Sequence, residues 1–205
     1  MLSLLIFLPA IGAAVVFLLR QELKTEDELD GTPFLSRVVQ TLIQPRGIAA
    51  VVTLVNLLIA IFMYADFETL DGGLQFTERV KWIETSSITT QYFIGVDGLS
   101  ATLMLLTGGL FLVAALISWN IELRPREYFG WLLLLETAVM GVFAAQDLIL
   151  FFLFWELELV PMFLLISIWG TGRKEYSAMK FVLYTLSGSA LMRPASNGGA
   201  SARRF

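Results

Sequence analysis

Five apolar runs, each close to the length needed to cross a lipid bilayer, dominate this chain and leave little room for any other kind of fold. A hydrocarbon core about 30 Å thick takes about 20 residues of helix. Inside it every backbone amide must find its partner within the protein, which restricts spanning structures to helices and closed barrels. The runs are approximately Leu2–Leu19, Gly47–Ala65, Gly98–Trp119, Tyr128–Ala145 and Leu148–Trp169. A sixth begins near Ser177, with its helix expected over residues 178–192, and is interrupted after Met192 by Arg193-Pro194. The expected fold is therefore all-α: a polytopic membrane helix bundle with five complete spans and a shortened sixth, occupying residues 1–192.

Composition agrees. The chain is 57% hydrophobic and 16% charged, against about 45–50% and about 25% in soluble domains. A net charge of −4 gives nucleic acid nothing to bind. Cys and His are both absent, and with them the usual ligands of iron–sulfur clusters, haem and zinc. The chain is expected to bind no cofactor or metal of its own, so any part in electron transfer is indirect. The first run lacks the basic start of a secretory signal and continues past Ala13-Ala14, so a retained helix is expected, bent near Pro9.

Basic residues set the expected orientation. Arg20, Lys24, Arg37, Arg46, Arg124, Arg126, Arg173, Lys174 and Lys180 fall in alternate connections, whereas the others hold only Arg79 and Lys81. The positive-inside rule then places the N-terminus on the lumenal or periplasmic side, and the acidic run Glu26-Asp27-Glu28 counts for little. Residues 66–94 read as a long polar loop. Trp119, Trp131 and Trp169 lie near helix ends, as interface anchors do. The segment 193–205 is small, polar, basic and without periodicity. It is expected to be a disordered, non-native-looking tail of the kind a truncated or frame-shifted reading frame leaves.

The chemistry concentrates in the fourth and fifth runs. Glu156 lies near the middle of an apolar stretch, where a charge costs roughly 2.5–3.5 kcal/mol even on a lenient scale. Such a residue faces a protein interior or a water path, which makes proton or ion handling the leading expectation. Gln146-Asp147 forms a short turn expected to hold the fourth and fifth helices antiparallel. Glu136 and Glu156 would then lie at one depth, roughly 15 Å from the turn, where two carboxyls can share a proton. Glu158 lies about 200° round the helix from Glu156 and points elsewhere. Glu136 and Glu158 are candidate auxiliary proton sites, with neutral packing roles as the plainer alternative. Pro161 is expected to break the helix by freeing the carbonyl of Leu157, which could hold a water beside Glu156. Asp97 is expected to be the N-cap of the third helix, Lys180 to snorkel to the surface, and Gly108-Gly109 to allow close helix packing.

The stretch Phe154-Trp155-Glu156-Leu157-Glu158-Leu159-Val160-Pro161-Met162, followed by Ile168-Trp169-Gly170, resembles the fifth helix of antiporter-like subunit 4 of proton-pumping NADH dehydrogenases, the respiratory complex I family. Gly95-Val96-Asp97-Gly98-Leu99-Ser100 and Ser177–Thr185 are similar to further stretches of that family. The Glu-Leu-Glu-Leu form resembles the cyanobacterial and chloroplast type, whose complex sits in the thylakoid membrane. The resemblance implies a translocase subunit without a redox site of its own. NAD(P)H and quinone (plastoquinone in that type) are used by the complex, and the partners are its other membrane and peripheral subunits. It implies a thylakoid location in a cyanobacterium, or the bacterial inner membrane otherwise. It also implies that Glu156 is the principal relay group and pairs with a lysine on the seventh helix, which has no counterpart in this sequence. Two alternatives stay open: a subunit of a multisubunit cation/proton antiporter, and an inert truncated membrane protein.

Overall fold

The computed structural model describes residues 1–18, 41–68, 73–85 and 88–201. Arg20, Lys24, Arg37, the acidic run at 26–28 and the last four residues fall outside that set. Six helices and one β-hairpin are described: α1 (Leu2–Leu18), α2 (Pro45–Ala65), β1 (Gln75–Thr85), β2 (Ile88–Val96), α3 (Gly98–Ile117), α4 (Pro125–Ala144), α5 (Leu148–Trp169) and α6 (Lys174–Ser201). A single 3-10 turn, Ser118–Asn120, follows α3. α2, α4, α5 and α3 with its 3-10 turn are long and apolar enough to cross a membrane, whereas α1 spans 17 residues. The chain divides into two compact units, Met1–Pro161 and Met162–Phe205.

In the first unit α4 is the central element, with α1, α2 and α3 all packed against it. Its buried residues run round most of its circumference, from Pro125 and Phe129 to Met140 and Ala144. Small residues permit this crowding. A Cβ on Gly12 would lie 2.9 Å from Val52 Cγ2 and 3.3 Å from Leu133 Cδ1, so α1 meets α2 and α4 there with no space for a side chain. Gly108 does the same between α3 and α2, where a Cβ would stand 3.3 Å from the Leu57 Cα. Gly109 faces open space, so only one of the two adjacent glycines serves close packing.

Two apolar clusters fill the unit. One joins Leu2, Leu5 and Ile6 to Ala60, Met63, Met104, Met140, Ala144, Leu150 and Phe154. The other joins Ala13 and Val16 to Ala49, Ala115, Phe129, Leu132 and Leu133. In every helix that contributes to both, the clusters occupy opposite ends. The residues between them include the buried polar side chains Thr53, Asn56, Thr107, Glu136 and Thr137.

The loop expected over residues 66–94 is instead largely an antiparallel hairpin, with Arg79 opposite Phe93 and Val80 opposite Tyr92. Its strands carry the β-branched and aromatic residues that suit a pleated surface, and Arg79 lies over the Phe93 ring at 3.9 Å. The hairpin holds helix ends. Glu78 Oε1 accepts from the Met1 ammonium at 2.7 Å, the Leu2 amide at 3.0 Å and the Ser3 amide at 3.4 Å. Its Oε2 accepts from the Ser3 hydroxyl, which also meets the Tyr92 hydroxyl. Partial burial opposes ionisation of Glu78, but these donors together outweigh it and hold its carboxyl below the usual range. At the other strand the Gln146 amide donates to the Phe93 carbonyl, and its side chain donates to the Gly95 carbonyl at 3.1 Å.

At the opposite ends of the helices, Arg126 donates to the Val16 carbonyl in the last turn of α1, and Arg46 lies over Trp119. Arg46, Arg124 and Arg126 thus share the end of the unit away from the hairpin.

In the second unit α6 runs to Ser201, so the helix does not stop at Met192 and includes much of the segment expected to be a disordered tail. A helix needs only local backbone bonds, of which Pro194 removes one. Lys180 Nζ lies 5.9 Å from the Tyr176 ring and 5.8 Å from the Tyr184 ring.

Candidate functional site

Asp97 and Asp147 set the starts of the two helices that flank α4 in sequence. Asp97 Oδ1 accepts from the Ser100 amide at 2.7 Å and caps α3. That amide bond keeps the Asp97 carboxyl below the usual range. Asp147 Oδ1 accepts from the Ile149 and Leu150 amides at 2.9 and 3.2 Å and caps α5. With the hairpin gripping Gln146, the start of α5 is fixed on both sides.

α5 then runs unbroken from Leu148 to Trp169 with Pro161 inside it, so the helix break expected at Pro161 does not occur. Proline costs one backbone bond but its own φ suits a helix. Leu150, Phe154 and Leu157 form the stripe by which α5 joins the first unit's core. The Phe154 ring lies where a side chain on Gly141 would be, and 6.4 Å from the Phe7 ring. At 100° per residue, Glu156 sits roughly 130° round from that stripe and Glu158 roughly 70°. Both are half-buried, and neither makes a hydrogen bond or ion pair among the described residues.

Glu136 is elsewhere. It is fully buried, as is Asn56 of α2, and the Asn56 Nδ2 donates to Glu136 Oε1 at 2.7 Å. Among the described residues, Asn56 Oδ1 and Glu136 Oε2 have no hydrogen-bond partner. The expected sharing of a proton between Glu136 and Glu156 is therefore not what the structure forms. Equal depth brought neither residue to face the other, because α4 turns Glu136 towards α2 while α5 packs by a different stripe. Asn56 is the member the sequence analysis missed. Its signal was available: a lone carboxamide in the middle of an apolar span, Leu54-Val55-Asn56-Leu57, is as conspicuous in kind as a lone carboxylate.

The arrangement thus offers two kinds of carboxyl. Glu136 is enclosed and partnered by an amide, whereas Glu156 and Glu158, without partners among the described residues, stand on the sides of α5 that leave the core.

Residues 145–195 match the family described as NADH:quinone oxidoreductase/Mrp antiporter, TM. Over 192 residues the chain is 36% identical to NADH-quinone oxidoreductase subunit M of Rhodobacter capsulatus, covering 94% of this chain and 34% of that protein. Over 129 residues it is 48% identical to NAD(P)H-quinone oxidoreductase chain 4 1 of Synechococcus elongatus, covering 62% of this chain and 24% of that protein. Over most of its length the chain is similar to antiporter-like chain 4 subunits. It spans about a quarter to a third of the length of these curated relatives. The family-model match takes in α5 and most of α6, which carry Glu156, Glu158 and Lys180, and leaves Asn56 and Glu136 outside it. The fold is shared with a solved structure. A chain of the membrane-bound sulfane sulfur reductase, an archaeal respiratory membrane complex, superposes with a TM-score of 0.66 at 18% identity, covering 94% of this chain and 26% of that one.

Proposed function

We propose that this chain is the N-terminal part of a proton-translocating membrane subunit of an NAD(P)H:quinone oxidoreductase, with Glu156 as its principal protonatable group. The observation that carries the proposal is the state of Glu156. It is a half-buried carboxylate in mid-helix, without a partner in the described chain, turned away from the core stripe, and inside the residues matched by the family. A carboxyl so placed is costly unless a further element or a water path serves it. Glu158, on the flank of the same helix, is an auxiliary site.

In this reading NAD(P)H and quinone are handled by partner subunits of the complex. This chain binds no redox cofactor and answers their electron transfer with proton movement. Plastoquinone as the quinone and the thylakoid as the membrane follow from the resemblance of the Glu156-Leu157-Glu158-Leu159 stretch to the cyanobacterial type; the Synechococcus elongatus relative is named for NAD(P)H and quinone. Arg46, Arg124 and Arg126, gathered away from the hairpin, support an N-terminus on the lumenal or periplasmic side. The test is Glu156→Gln in the intact complex, read as proton translocation against quinone reduction. Loss of coupled proton movement is expected, and an unchanged proton-to-electron ratio refutes the role.

One finding favours a second reading. The matched family embraces Mrp antiporters as well as quinone oxidoreductases, so the chain could belong to a multisubunit cation/proton antiporter. Affinity purification of the native assembly separates them, since quinone-reductase subunits or antiporter subunits would accompany the chain.

A further inference from the structure

We propose that Asn56 and Glu136 form a neutral carboxamide–carboxylic acid pair, in which Glu136 keeps a proton on Oε2 and donates it to Asn56 Oδ1. This goes beyond the proposed translocation and does not rest on it, because it follows from the local chemistry of α2 and α4 alone.

The pair is half made already. Asn56 Nδ2 donates to Glu136 Oε1 at 2.7 Å, and the two atoms left without partners are the other oxygen of each group. Both are acceptors while Glu136 is ionised, so they cannot satisfy each other. One proton on Oε2 turns the pair into a closed ring in which each group gives one hydrogen bond and receives one. Turning the amide over changes nothing essential. Asn56 Oδ1 would then face Oε1 at the same 2.7 Å, and two oxygens at that separation again need a proton between them.

Charge leads to the same conclusion. An ionised Glu136, fully buried, would need a cation, and the elements around it provide none. The described spans of α1 and α3 contain no Asp, Glu, Lys or Arg, and neither does β2. The one charged residue of α2 is Arg46, ten residues before Asn56 or roughly 15 Å along the axis, where it engages Gln44 and Trp119. On α4 itself, Arg126 is held by the Val16 carbonyl and Glu127 by Arg124, both in the first turn. Glu156 and Glu158 of α5 would add only like charge. The apolar clusters on either side close the pair off from both ends of the helices.

The consequence is a division of labour. Glu136 holds a stored proton that joins α2 to α4, and exchange with solvent requires the pair to open.

Infrared spectroscopy of the full chain in lipid nanodiscs tests this. The wild type should show a protonated carboxylic C=O stretch that Glu136→Gln removes. In Asn56→Leu the band should remain and move to higher wavenumber, because Oε1 has lost its donor. In the wild type it should also persist from mildly acidic to mildly alkaline solution, a measurement that needs no variant to fold. A spectrum in which Glu136→Gln removes no such band, or a band that titrates away near neutrality, overturns the neutral state. A band that is lost or unmoved in Asn56→Leu overturns the pairing.

Discussion

Replacing Glu78 with Ala should loosen the first turn of α1 and little else. The carboxylate accepts from the Met1 ammonium, the Leu2 and Ser3 amides and the Ser3 hydroxyl, and so caps a helix 75 or more residues away in sequence. A capping side chain contributes about 1 kcal/mol, and a hydrogen bond to a charged group about 1.5–3 kcal/mol. Side-chain exposures of 52% for Met1 and 30% for Glu78 let water replace part of this, so the ion pair itself adds little. A net loss of about 2 kcal/mol follows, equivalent to roughly 30-fold more frequent opening of that turn at about 1.4 kcal/mol per decade. Hydrogen exchange measured by mass spectrometry on the peptide spanning the start of α1, with the chain in nanodiscs, reads this directly. The pH dependence has a fixed sign. Because the folded carboxyl lies below its ordinary value, its contribution is complete above the unfolded glutamate value of about 4.3 and disappears as pH falls through the lower folded value. Wild-type protection at the start of α1 should therefore fall only in acid, and the variant should lack that step. Unchanged protection in Glu78→Ala, or a loss spread evenly over α1 to α4, would refute the capping argument.

Further expectations follow from neighbouring geometry. Gly108→Val should destabilise the chain by about 1–3 kcal/mol through α2–α3 overpacking, whereas Gly109→Val, with open space at the Cβ, should perturb the fold far less. Thermal unfolding in detergent compares the two, and equal effects would remove the case for close approach at Gly108. Asp97→Ala should cost about 1 kcal/mol by uncapping α3, and Asp97→Asn should recover most of it in the same assay.

Much of the helical plan was legible because burial in a membrane imposes length and hydropathy on sequence directly. The bounds of α5, Leu148 and Trp169, coincide with its apolar run, and an aspartate precedes both α3 and α5 where a cap is needed. The hairpin was not legible, since Gln75–Val96 mixes charged with apolar residues at a period of two and looks polar when only composition is weighed. Facing was not legible either. Chain positions give Glu136 and Glu156 their depth. Their direction depends on which stripe of α5 meets Leu2, Ile6 and Met140, and that is decided by side-chain fit among helices distant in sequence. Asn56 was overlooked for a related reason: its significance lies in a partner 80 residues later.

The remote cap on α1 also has a consequence in time. Ribosomes add about 5–20 residues per second, so the 76 residues between Leu2 and Glu78 represent roughly 4–15 s of synthesis. During that interval the amides of the opening turn of α1 are unclaimed by Glu78. The start of α1 can be anchored in this way only once the hairpin at 75–96 has formed beside it, so folding of those strands is a late step in fixing a helix made well before them.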